Sequence, residues 1–243
     1  MEQAAQDFAQ TYVALFAWSW SWWSGGDEPG VSVIGQVLSA VRPITRWSTA
    51  AALALGIVGA GVTLVVRRRG TDLAALVLGV SRTVLAVSAA WLLLASAWAL
   101  GDRMGGWIVG RGNGVTEFRD HVARAAAQAD PIVALSLSIV GLACCLTFIG
   151  VLVARVVLAV LIAAGMPVLA AGSVLGGGPL RIAGTWAVAV VAFDPLAALV
   201  YRVGHAVTMR ADEPVVVLMV ASVTSFMAAG MLPLAARVSG SVR

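Results

Sequence analysis

The chain has 243 residues, of which 60% are hydrophobic and only 12% charged, and its mean hydropathy is +0.93. A soluble domain keeps about a third of its chain surface wet and carries roughly 25% charged residues. The composition therefore excludes a soluble globular enzyme, a disordered tail and a fibrous repeat, and it points to a polytopic membrane protein.

In chain order, Met1-Glu2-Gln3 is acidic where a secretory signal would be basic. The stretch Phe8 to Trp23 then carries Tyr12, Phe16, Trp18, Trp20, Trp22 and Trp23. Tryptophan favours the membrane–water interface, where the ring is buried and its N–H stays wet. The stretch is short for a span of about 20 residues. It reads as an interfacial or pore-rim helix ending near Gly25 to Gly30, with Trp18, Trp20, Trp22 and Trp23 at the interface; a generic membrane anchor is the plainer alternative. Val31 to Val41 is a second short apolar segment, and residues 1–47 form an extracytoplasmic N-terminal region.

The first clear span runs from Ser48 to Val66, closed by Arg67-Arg68-Arg69. Within it Ala52, Gly56 and Ala60 recur every fourth residue, a small-residue ridge that lets another helix approach closely. The next apolar run, Leu73 to Leu100, carries Arg82 near its start and Trp91 and Trp98 further on. At 1.5 Å per residue it exceeds a hydrocarbon core, so its beginning lies in the interface with Arg82 snorkelling. Gly101 to Pro131 is the longest polar segment, a loop with a short helix over Val115 to Ala129. Its Gly110-Arg111-Gly112-Asn113-Gly114 run has the makings of a phosphate nest but lacks the lysine and Ser/Thr of a nucleotide motif, so a plain loop is expected.

Ile132 to Leu175 is an apolar tract broken only by Arg155, which suits two spans meeting near that arginine. Met166-Pro167 inside the second half should kink or break its helix. Ile182 to Val203 contains Asp194-Pro195, and Val215 to Ala236 is the last run. The expected fold is all-α: a transmembrane bundle of about six spans over 48–236, with a tail at 237–243.

The arginine triplet Arg67, Arg68, Arg69 argues for a cytoplasmic loop, which places the tryptophan-rich segment and the 101–131 loop outside and Arg155, Arg202 and Arg210 inside. All 16 basic residues are arginine and the net charge is +4. Without lysine there is no Walker A site, Schiff base or lysine general base. No Gly-x-Ser-x-Gly elbow, His-Glu-x-x-His or acidic metal cluster occurs, and His121 and His205 are far apart, so no catalytic, metal or cofactor site is expected. Cys144 and Cys145, adjacent in an apolar run, read as small filler. Asp194 is the one acidic residue within a hydrophobic span. Asp-Pro is a strong helix-start signal, which favours a cap for a helix beginning at Pro195. The alternative is a carboxylate that carries protons or pairs with Arg155, Arg181 or Arg202.

The tract from Arg155 through Met166-Pro167 to Ala171, then Trp186, then Asp194-Pro195-Leu-Ala-Ala-Leu-Val-Tyr201-Arg-Val-Gly204, resembles the TrbL/VirB-type polytopic inner-membrane subunits of conjugation and type IV secretion machines. In that family an apolar helix runs into an Ala-Pro pair, followed by a tryptophan-bearing segment and a Lys-Pro-like step into another apolar helix. Here Asp194 stands at that step and the central loop is small. The resemblance implies a multi-pass protein of the inner (cytoplasmic) membrane that forms a homo-oligomeric pore or platform. Its implied partners are the lipid bilayer, other secretion-machine subunits, an ATPase and a translocated DNA–protein or protein substrate. The competing classes are a small-molecule or ion transporter or channel, whose signature would be inverted repeats with matched broken helices, and a purely structural membrane scaffold. Met166-Pro167 and Asp194-Pro195 are two such breaks, but their flanks show no internal symmetry.

Overall fold

A computed structural model describes residues 2–24, 71–110, 114–172 and 178–241, with scattered positions between 36 and 62. The ridge Ala52, Gly56, Ala60 and the triplet Arg67, Arg68, Arg69 lie outside the described residues. Among the described residues the fold is all helical: α1 Glu2–Ser24, α2 Thr71–Val109, α3 Gly114–Gln128, α4 Pro131–Gly172, α5 Gly178–Thr208 and α6 Pro214–Ser241. Among the described residues three stretches are long and apolar enough to cross a membrane, Pro131–Met166, Arg181–Thr208 and Pro214–Ser241.

Burial follows the same rule along α4 and α1. On α4 the buried positions Ala134, Ser138, Gly141, Cys145, Phe148, Leu152, Arg155, Ala159 and Ile162 alternate steps of four and three. That seven-residue repeat keeps one seam of a helix facing its neighbours. α1 does the same with Ala5, Ala9, Tyr12, Phe16, Ser19 and Trp23, and Trp20 sits beside that seam. The short α3 buries Phe118, Val122 and Ala125. The opposite faces of the long helices carry exposed apolar side chains, such as Val153 and Val157 on α4 and Val223 and Met227 on α6. Such faces suit a surrounding hydrocarbon phase.

Several expectations change here. The tract from 132 to 175 is not two spans, because α4 runs unbroken from Pro131 to Gly172 and carries Arg155 in its interior. Met166 and Pro167 fall within that helix and do not end it. Asp194-Pro195 likewise lies in mid-helix, so Asp194 caps nothing. In a segment with no water to satisfy freed backbone groups, losing one N–H at a proline costs less than opening the ladder. The same dipeptide does start a helix at Asp130-Pro131, where the Asp130 carboxylate accepts the Ile132 N–H at 2.9 Å and proline takes the first helical position. The 101–131 segment is also more helical than expected: α2 continues to Val109, and the break falls at Gly110, whose φ is +83°.

The chain divides into two compact units. One comprises Met1–Gly30, Leu100–Arg155 and Ala192–Ala235; the other comprises Val31–Ala99, Val156–Val191 and Ala236–Arg243. In the first unit α1 touches both α4 and α6: an added Cβ at Gly141 would meet the Tyr12 ring, and the Tyr12 hydroxyl lies 3.3 Å from Ser222 Oγ. Further along, Cys145 Sγ donates to Ser225 Oγ at 3.9 Å. Moving from 141 to 145 and from 222 to 225 keeps the same neighbours, so α4 and α6 run parallel and start on the same side. The turn at 208–213 makes α5 antiparallel to α6.

Candidate functional site

Arg155 on α4 and Asp194 on α5 are both buried, at 0% and 1% exposure. They form a two-pronged ion pair: Arg155 Nη1 donates to Asp194 Oδ1 at 2.5 Å and Nη2 donates to Oδ2. The planar guanidinium suits this geometry, because its fork matches both carboxylate oxygens. Trp23 at the end of α1 adds a third donor, its indole Nε1 reaching Oδ1 at 3.1 Å. The Phe193 ring lies 5.1 Å from the guanidinium carbon. Gly105 of α2 lies against the other flank of Asp194, where a Cβ would come within 3.4 Å of both the Asp194 Cβ and its carbonyl oxygen. A two-charge cluster is thus enclosed by four helices. Asp194 stands near the middle of its span, with about 20 Å of helix on either side at 1.5 Å per residue.

Two buried charges remain here only because each satisfies the other. Desolvating an ion costs several kcal/mol, repaid when geometry is good and the remaining lone pairs find donors. Both Asp194 oxygens are engaged, Oδ1 twice. The cluster is therefore a neutral, fully engaged clamp between α1, α4 and α5.

An aromatic core continues from it. Trp20 contacts Trp23, Phe148 and Tyr201 with ring centroids 5.5, 4.7 and 4.8 Å apart, and Phe118 lies 4.9 Å from Phe16 and 5.6 Å from Tyr201. Trp20 Nε1 donates to Ser225 Oγ at 3.4 Å. These two tryptophans overturn the interfacial expectation: Trp20 and Trp23 are buried in protein at 0% and 7% exposure, with their N–H groups bonded to Ser225 and Asp194. Trp18 is 50% exposed and stacks on the half-buried Trp22 at 5.6 Å, so α1 presents a second aromatic face outward. Among the described residues four further polar atoms are buried without a hydrogen-bond partner: Ser138 Oγ, Tyr201 OH, His205 Nε2 and Thr208 Oγ1. Three of them share the α5 stripe that leads from Asp194 to the 208–213 turn.

Of the partners open to Asp194 from sequence, the structure selects Arg155 and not Arg181 or Arg202, both of which are exposed. Sequence reading missed Trp23, Gly105 and the Tyr12–Ser222 contact. The available signal was the seven-residue step: Phe148, Arg155 and Ile162 share one α4 seam, and Tyr12, Phe16 and Trp23 share one on α1. Cys144 and Cys145 are free thiols, and no group of three metal-ligating side chains occurs among the described residues. No family model, curated protein or solved structure matches the chain.

Proposed function

We propose that this chain is an inner-membrane pore or platform subunit of a type IV secretion or conjugation apparatus. In this reading it assembles as a homo-oligomer with other machine subunits and an ATPase, and it helps pass DNA–protein or protein substrates. The observation that carries the reading is the Arg155–Asp194–Trp23 clamp. A mid-span charge pair with both carboxylate oxygens engaged is suited to fixing helices in register, as a platform requires. A carrier instead needs a charge that it can release. The resemblance of residues 155–204 to the TrbL/VirB-type pattern supplies the machine. One feature favours the runner-up, a proton-coupled transporter: the unpartnered Tyr201, His205 and Thr208 lie on the same helix stripe as Asp194. Deleting the coding sequence in its host should reduce intercellular transfer of DNA or protein to background, with recovery on complementation, and the detergent-extracted particle should have a multimeric mass. Undiminished transfer, or a monomeric particle, overturns the proposal.

The helix directions also support a topology. In this reading α4 crosses once and runs parallel to α6, so the 208–213 turn lies on the same side as Pro131, and neither Arg202 nor Arg210 is inside as first expected. In this reading Arg181 and Arg237, at the opposite ends of α5 and α6, lie on the same side as Arg67, Arg68 and Arg69. In a Cys144→Ser/Cys145→Ser background, cysteines introduced at Asn113 and Asp212 should both react with an impermeant maleimide in intact cells, and one at Arg69 only after lysis. Labels at 113 and 212 that report opposite sides would refute this arrangement.

A further inference from the structure

α5 and α6 approach closely at Gly204, where an added Cβ would come 2.6 Å from Thr224 Cγ2. Beside this crossing runs an outward-facing groove of about 620 Å³, lined almost wholly by apolar atoms. Its lining runs from Val207 and Val216, next to the 208–213 turn, to Leu199 and Met227 further along the two helices. From Val216 to Met227 the groove spans about 16 Å at 1.5 Å per residue, or one leaflet of a hydrocarbon core about 30 Å thick. The turn above it carries Arg210, Asp212 and Glu213, all exposed and without an ion pair between them.

We propose that this groove is a phospholipid site, holding one acyl chain along α5 and α6 and a phosphoethanolamine headgroup on the 208–213 turn. Three features select that occupant. The groove has the length of one leaflet and opens where a headgroup lies. Arg210 offers a guanidinium to the phosphate, the pairing that headgroup pockets at membrane surfaces use. Asp212 and Glu213 offer acceptors to a primary ammonium, whereas an anionic glycerol headgroup would bring uncompensated negative charge beside two carboxylates, and a choline has no N–H to donate. This site is independent of the secretion reading and requires only that α5 and α6 lie in a bilayer.

Protein extracted in mild detergent and passed into nanodiscs of equal phosphatidylethanolamine and phosphatidylglycerol can be weighed by native mass spectrometry. One phosphatidylethanolamine per protomer should be retained. Val203→Trp, which fills the groove from an exposed position, should lose it while melting like the parent. Asp212→Asn/Glu213→Gln, confined to the exposed turn, should lower the preference for ethanolamine over glycerol about tenfold, the factor carried by one charge-assisted hydrogen bond. The proposal fails if the parent retains no lipid, if Val203→Trp retains as much as the parent, or if the turn variant keeps the parent's preference. A fall in oligomer mass on Val203→Trp, with no lipid to lose, would assign the groove to a second copy of the chain instead.

Discussion

Asp194→Ala lowers stability by about 3–5 kcal/mol, and Arg155→Ala by as much, because either change leaves an uncompensated charge in the bundle interior. The double variant Arg155→Met/Asp194→Leu melts close to the parent, since well-packed apolar residues in place of a buried pair are often neutral or stabilising. Asp194→Asn sits with the damaging singles: an amide can still accept from Trp23 but cannot neutralise the guanidinium. Trp23→Phe removes only the indole donor to Oδ1 and costs about 1.5–3 kcal/mol, the range for a hydrogen bond to a charged group. Thermal unfolding of the detergent-solubilised variants measures all five. Parent-like melting of Asp194→Ala would mean that the pair does not form. The double variant also separates the functional readings, because a platform keeps transfer activity once its helices are held by apolar packing, whereas a proton-coupled transporter loses it with the carboxylate.

Composition alone was enough to read an all-helical membrane protein, since no other architecture hides 60% hydrophobic residues at 12% charge. Helix continuity was less legible. Asp130-Pro131 and Asp194-Pro195 are the same dipeptide, yet one starts a helix and the other sits inside one. The difference lies in what precedes them. Before Asp130 comes the polar end of α3, where water satisfies backbone groups. Before Asp194 come twelve residues of apolar helix, where opening the ladder has no compensation. Arg155 misled for a related reason: a lone arginine in an apolar tract looks like an interface, and only its position on the Phe148–Ile162 seam shows that it points inward. The tryptophans divide in the same way, with Trp20 and Trp23 on or beside the Tyr12–Phe16 seam and Trp18 and Trp22 off it. Pairings distant in sequence, such as Trp23 with Asp194 or Tyr12 with Ser222, had no local signature, because hydrophobic periodicity tells which face is buried and not against what.

Gly141→Ala dislodges α1. A Cβ at position 141 would lie 2.6 Å from Tyr12 Cζ and 2.8 Å from Cδ2, far inside any real contact. The obstacle is the body of a ring, which cannot fold aside as a flexible chain end can. The ring is pinned as well, with its hydroxyl 3.3 Å from Ser222 Oγ and its centroid 6.1 Å from that of Phe16. Relief therefore requires α1 to back away from α4 as a unit, taking Phe16, Trp20 and Trp23 with it. Inserted methyl groups cost typically 1–3 kcal/mol in packed cores, and this site belongs at about 3 kcal/mol because no side chain can absorb the overlap. Gly150→Ala on the same helix is the internal control: nothing lies within 4 Å of its Cβ, and replacing a mid-helix glycine should gain up to about 1 kcal/mol of helix propensity. Tyr12→Leu should rescue Gly141→Ala in part, since it removes the ring atoms that clash but also forfeits the hydroxyl contact with Ser222, which keeps its bond to the Leu218 carbonyl. Melting temperature gives the ordering, and tryptophan emission gives the mechanism: Gly141→Ala shifts it to the red as Trp20 and Trp23 leave the core, while Gly150→Ala leaves it unmoved. An unshifted, parent-like Gly141→Ala would show that Tyr12 does not wedge α1 against α4.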